Sequence, residues 1–309
     1  MRKRAVWIAL AVLAVAAVVA LAVTQGGKNV PVPTPPGPGK ETETQAVGPD
    51  WCPKVEFISV PGTWESAPDD DPFAPRANPK SYMLSITGPL QQSYDIGDVR
   101  VFTVPYTAQF RNIQTPHGRR EMPYDESRDE GTAKLNGELK YVAQTCPQTK
   151  FIMAGFSQGA VIVGDVASDI GNGRGVVDAD RVLGAVMIAD GRRENGVGVN
   201  PGNPLGGIGA EIALQPLNAV VQAVTPGATM RGARDGGFGS LNDRAYEICA
   251  PDDTICDAPM GVGDAIGRAN ELVGAQGVHA QYASNPNVIP GSTASEWTLQ
   301  WARQTIDSQ

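Results

Sequence analysis

Residues 150–170 read KFIMAGFSQGAVIVGDVASDI, and this stretch restricts the fold most strongly. An apolar run ends at Gly155-Phe156-Ser157-Gln158-Gly159 and gives way at once to a second apolar stretch. A strand that turns directly into a helix, with glycines two before and two after a serine, suits an elbow too tight for side chains at those positions. Such a turn lifts the Ser157 hydroxyl above the end of a sheet, at a helix N-terminus. The same spacing also fits an ordinary glycine-lined turn with an incidental serine, so the rest of the chain has to supply the serine's partners.

The flanking sequence repeats the alternation. KVEFISVPG (54–62), DVRVFTVPY (98–106) and DRVLGAVMIAD (180–190) read as strands beside KFIMAGF. Residues 79–94 and 125–146 read as helices, the second with acidic residues in its first turns, where the helix dipole favours them. Strands alternating with helices imply an α/β fold whose parallel sheet is covered on both faces. After Asp190 the pattern changes to glycine-rich loop. AEIALQPLNAVVQAV (210–224) then places Ile212, Leu217, Val220, Val221 and Val224 at helical spacing. Residues 208–224 read either as a flap that covers the serine and lines an acyl channel, or as a surface helix on the sheet edge. The terminal STASEWTLQWARQTI begins with Ser/Thr caps and reads as a docking helix.

The N-terminus carries an export signature. Arg2-Lys3-Arg4 precede an uncharged apolar run from Ala5 to Val23. Residues 1–28 therefore read as a signal peptide or an uncleaved signal anchor, with the remainder outside the cytoplasm in either case. The proline-rich residues 29–50 read as an extended linker, and 51–309 as the folded domain, with its 191–245 segment expanded. Acidic residues exceed basic ones, 33 to 25, and no basic stripe lies beyond the N-terminus, which argues against a nucleic-acid partner. Four cysteines in an exported chain suggest two disulfides. Cys249 and Cys256 would close a local loop, leaving Cys52 to pair with Cys146. Zinc is the rival reading, but there is no CxxC and there are only two histidines.

A serine in such an elbow takes its acid and then its histidine from later in the chain. His117 precedes the elbow in a polar loop, whereas His279 follows it, so chain order favours His279. Candidate acids are Asp165, Asp190, Asp252, Asp253 and Asp264. A carboxylate inside a short disulfide loop is held in place, as orienting an imidazole requires, which draws attention to Asp252 and Asp253.

Cys249-Ala-Pro-Asp-Asp253-Thr-Ile-Cys256, Cys146 eleven residues before Ser157, and His279-Ala-Gln-Tyr282 together resemble the cutinase family of secreted serine esterases. The resemblance spans most of residues 51–309 and is greatest to cell-envelope members from mycolic-acid-containing actinobacteria. It implies a three-layer α/β/α sandwich around about five parallel strands, with Ser157, Asp253 and His279 as catalytic residues. The family's Gly-Ser/Thr-x-Glu stretch matches Gly62-Thr63-Trp64-Glu65, which implies oxyanion donors at Thr63 and Gln158. No metal or cofactor is implied. Pro61 stands where many relatives carry Arg and Phe156 where Tyr is frequent, and the interval from Cys256 to His279 is longer than in compact fungal members. The implied activity is extracytoplasmic hydrolysis of lipid acyl esters, as a carboxylesterase or lipase, with phospholipase A and thioesterase chemistry within its scope. The implied partners are an acyl-ester substrate and a membrane or cell-wall lipid surface. Acyl transfer from the same acyl-enzyme is the alternative. A non-catalytic lipid-binding protein would be expected to lack Ser157, Asp253 or His279, and all three are present.

Overall fold

The four apolar runs become strands, and a fifth strand joins them from a segment with little sequence signal. A computed structural model describes residues 48–113, 116–260 and 277–309. The N-terminal basic and apolar stretches, most of the linker and Asp264 lie outside the described residues. Strands β1 (Val55–Val60), β2 (Val99–Thr103), β3 (Lys150–Phe156), β4 (Val182–Ile188) and β5 (Ala245–Ile248) form one sheet in the order β2-β1-β3-β4-β5. All four pairings are parallel. β5 is only four residues long and follows a glycine-rich tract, too short to show a strand period.

Helices cover both faces. α1 (Leu84–Ser93) and the C-terminal α6 (Ala294–Asp307) pack on one side, α2 (Tyr124–Thr145) and α3 (Gln158–Gly171) on the other. Alternate strand residues supply the two cores. Phe57, Ile152 and Ala154 face α1 and α6, while Ile58, Phe151 and Met153 face α2 and α3. α6 opens with the capping box that its Ser/Thr start suggests: Glu296 N–H donates to Thr293 Oγ1 at 3.1 Å, and Thr293 N–H to the Glu296 carboxylate at 3.0 Å. Among the described residues, no helix is long and apolar enough to cross a membrane.

The single helix expected over 210–224 is interrupted. α4 (Ala210–Ala213) gives way to a 3₁₀ turn at Gln215–Leu217, and α5 (Asn218–Val224) follows. Pro216 lacks the N–H that a continuous helix would need there. Leu214 and Val221 are buried against Tyr124, Ala228 and Met230, so this segment is a packed wall. Val199 covers part of the β5 edge, accepting from Glu247 N–H and donating to the Ala245 carbonyl.

The insert is tied to α3 by three arginines. Asp165 accepts from Arg192 at 2.8 Å, Arg231 at 2.5 Å and Arg234 at 2.9 Å, and Arg234 also donates to Asp190 at 2.6 Å. Burial would raise the Asp165 carboxyl, but the Arg234, Arg231 and Arg192 charges outweigh it and hold the pKa at about 2. The stabilisation is therefore complete above the ordinary value of 3.8 and is lost as pH falls through about 2. It amounts to roughly 2 kcal/mol at neutral pH. Asp165→Asn is expected to lower the unfolding free energy at pH 7 by about 2–4 kcal/mol. Urea unfolding at pH 7 and pH 3 should also show a shallower acid loss in the variant; an unchanged slope would contradict this assignment.

Candidate active site

In a parallel sheet, ligands gather beyond the strand C-termini where the connections diverge to opposite sides. Here that point lies between β1 and β3, because the chain runs from β1 outward to β2 and returns on the other side of β1. Thr63 follows β1 and Ser157 follows β3, so the two approach across the switch point.

Steric constraint shapes the elbow. A Cβ on Gly155 would lie 2.2 Å from the Gly159 carbonyl oxygen, and one on Gly159 would lie 2.0 Å from that of Val60. Ser157 itself has φ +55°, a left-handed conformation unusual for a side-chain-bearing residue. Its N–H donates to the Ile188 carbonyl at 2.8 Å, tying the elbow to β4. Gln158 is the first residue of α3, so its N–H has no intrahelical acceptor.

His279 lies in a 3₁₀ turn, Val278–Gln281, entered through Gly277 at φ +91°. Its Nε2 is 3.0 Å from Ser157 Oγ and its Nδ1 is 2.9 Å from Asp253 Oδ2. Asp253 is 3% exposed and sits in the loop closed by the Cys249–Cys256 disulfide. Its Oδ1 accepts from Ile255 N–H at 3.1 Å, and its Oδ2 also accepts from the Tyr282 hydroxyl at 2.6 Å. Tyr282 is buried and accepts from Ala250 N–H at 2.9 Å, bridging the loop that holds Asp253 to the turn that holds His279. A hydroxyl, an imidazole and a carboxylate in this sequence can move a proton off the hydroxyl and hold the resulting imidazolium.

The other acids fall elsewhere. Asp252 is exposed with φ +68°, and Asp165 and Asp190 belong to the arginine cluster. His117 is 94% exposed and pairs with Glu121. The second disulfide joins Cys52 to Cys146.

Thr63 and Gln158 meet through their side chains, Thr63 Oγ1 donating to Gln158 Oε1 at 3.0 Å. Gln158 Nε2 donates onward to Ser127 Oγ at 2.6 Å, and Ser127 donates to the Thr107 carbonyl at 2.5 Å. Glu65 braces the same turn, accepting from Gly62 N–H, the Ser81 hydroxyl and Tyr82 N–H at 3.1, 3.1 and 2.8 Å. Burial pushes its carboxyl up, against the pull of these three donors. Sequence reasoning named Glu65 and Tyr282 only as motif positions. Ser127 and the arginine cluster carried no local signal.

A cavity of about 350 Å³ opens over Ser157. Its lining includes Tyr82, Phe156, His279 and Ala283, and also Phe110, Tyr124, Val161, Ala210 and Met230. Phe156 stacks on the His279 ring with centroids 5.1 Å apart and lies tilted against Tyr82 at 4.5 Å.

The cutinase family model matches residues 84–267. A carboxylesterase Culp6 homolog from Corynebacterium glutamicum is 61% identical over 262 residues, covering 85% of this chain and 84% of its own. Solved structures with a similar fold include the catalytic core of acetyl xylan esterase from Trichoderma reesei, 17% identical, TM-score 0.48, covering 84% of this chain and 99% of that one. Another is a cutinase-like protein from Cryptococcus sp., 16% identical, TM-score 0.47, covering 84% and 98%. The chain belongs to the cutinase family and is a serine carboxylic-ester hydrolase.

Tyr282→Phe removes a donor to Asp253 and leaves the Ala250 N–H without its acceptor. It is expected to lower stability by about 1–3 kcal/mol. It should also lower esterase kcat about 10- to 100-fold with KM nearly unchanged, because the positioning of the imidazole is what suffers. Loss of stability with kcat intact would make Tyr282 purely structural.

Proposed function

We propose that the protein is an extracytoplasmic esterase that cleaves acyl esters of lipids through a Ser157–His279–Asp253 triad. Ser157 Oγ attacks the ester carbonyl carbon while His279 Nε2 takes the hydroxyl proton. The tetrahedral oxyanion is held by the N–H groups of Thr63 and Gln158, such donors contributing about 3–4 kcal/mol each. As the intermediate collapses, the carbon–oxygen bond to the leaving alcohol breaks and His279 returns its proton to that oxygen. Water, deprotonated by the same imidazole, then attacks the acyl-enzyme and releases the carboxylic acid with Ser157 restored. Asp253 holds the Nδ1–H tautomer and stabilises the imidazolium.

The observation that carries this reading is His279 bridging Ser157 at 3.0 Å and Asp253 at 2.9 Å. Lipid esters suit a cavity whose walls are mostly apolar and aromatic. An extracytoplasmic location suits two disulfides together with a basic, then apolar, N-terminus, and we assign residues 1–28 to export and 29–50 to a linker.

Hydrolysis of p-nitrophenyl esters by the full chain tests the proposal. Ser157→Ala and His279→Ala are each expected to reduce kcat by more than about 10⁴-fold, and the double variant by little more than either alone. A Ser157→Ala protein that is folded and retains its rate would rule out the triad.

A further inference from the structure

The 191–245 insert contributes directly to the cavity over Ser157: Gly191, Ala210, Glu211 and Met230 all line it. Resting on the esterase reading above, we propose that the insert forms the acyl-chain chamber and that Met230 and Gly191 set the length of chain it accepts.

The chemistry assigns the two sides of the cavity. The leaving alcohol has to lie within hydrogen-bond reach of His279 Nε2, which must protonate it. That places the alcohol beside His279 and the rings nearest it, Phe156 stacked on the imidazole and Tyr82 tilted against Phe156. The acyl group then extends toward the insert residues of the lining. There Met230 is buried in a separate apolar cluster with Tyr124 and Leu214, and Phe110 packs on Tyr124 with ring centroids 5.2 Å apart.

Glu211 marks the limit assigned to this chamber. Glu211 is buried, and both its carboxylate oxygens are engaged: Oε1 accepts from the Tyr124 hydroxyl at 2.6 Å and Oε2 from Arg231 Nε at 3.0 Å. Arg231 is held in turn by Asp165. A methylene chain offers these groups nothing in exchange for their hydrogen bonds, so it has to stop short of them. The cavity, about 350 Å³, has to hold the leaving alcohol as well as the acyl chain. Acyl chains of medium length therefore fit, and longer ones reach the Glu211 carboxylate.

Gly191 lines the cavity without a side chain. A Cβ there would lie 3.4 Å from Val161 Cγ2 and 3.8 Å from Glu211 Cγ, ordinary contact distances between two cavity-lining residues. A side chain at this position would fill chamber space without displacing the backbone. Met230 does the converse, since shortening it would open space beside Tyr124.

The test is kcat/KM on p-nitrophenyl esters from acetyl to palmitoyl for the unsubstituted full chain, Gly191→Val, the milder Gly191→Ala, and Met230→Ala, with thermal unfolding as the folding control. The unsubstituted protein should lose kcat/KM steeply toward the palmitoyl ester. Gly191→Val is expected to lose about 10- to 100-fold on the longest accepted ester and to change less than about 3-fold on acetate. Met230→Ala should move the optimum toward longer chains by about two to three carbons, as three side-chain heavy atoms leave. A second series holds the acyl group constant and varies the size of the leaving alcohol. Variants that respond to the alcohol instead of the acyl chain would overturn the assignment of sides. A flat chain-length profile in the unsubstituted protein would overturn the limit at Glu211, even if no variant folds. Absence of Ser157-dependent turnover would defeat the esterase reading itself; normal turnover with unshifted profiles would defeat only the chamber.

Discussion

The close approach of α3 to the end of β1 governs everything around the site. Gly159 lies so near the Val60 and Pro61 carbonyls that even a methyl group would overlap them, and Gly155 faces Gly159 in the same way. Because the helix starts this close, Ser157 is pushed into a left-handed conformation and the Gln158 N–H stands at the helix terminus. The turn after β1 is drawn into the same place. Gly62 lies against Phe156, and Thr63 reaches Gln158 through its hydroxyl. One contact between backbones thus sets Ser157, Gln158 and the turn that carries Thr63.

The imidazole is positioned by a different device. His279 and Asp253 come from turns with little regular structure, and such turns are held by covalent and hydrogen-bonded links instead of by packed periodic faces. The Cys249–Cys256 disulfide shortens one turn, and the Tyr282 hydroxyl joins it to the other by contacting both Ala250 N–H and Asp253 Oδ2. Phe156, next to the serine, stacks on the His279 ring and closes the gap between elbow and turn.

The insert after β4 has a charged anchorage beside its apolar contacts. Three arginines converge on Asp165 in α3, and two of them extend to Asp190 and Glu211. Asp165 and Asp190 were attractive as catalytic acids when only their order in the chain was known. Their carboxylates instead tie the insert to the sheet, and the same tie carries Glu211 and Met230 to the edge of the cavity. A charge-paired anchor of this kind does for the loops what an apolar core does for the helices.

The order and type of the main elements were legible in the chain because parallel, fully buried strands leave continuous apolar runs and the intervening helices leave a different period. The elbow was legible because its glycines are demanded locally, and the family motifs singled out Ser157, His279 and Asp253 as positions to watch. The sequence by itself did not yield β5, whose four residues are too few to show a period, nor the break at Pro216, where helical spacing on either side masked the missing N–H. Only the tertiary structure decided that Ser127 lies behind Gln158, that the Tyr282 hydroxyl meets Asp253, and that three arginines share Asp165. These are contacts between segments distant in the chain, and their geometry depends on how the layers pack, which no local period or spacing encodes.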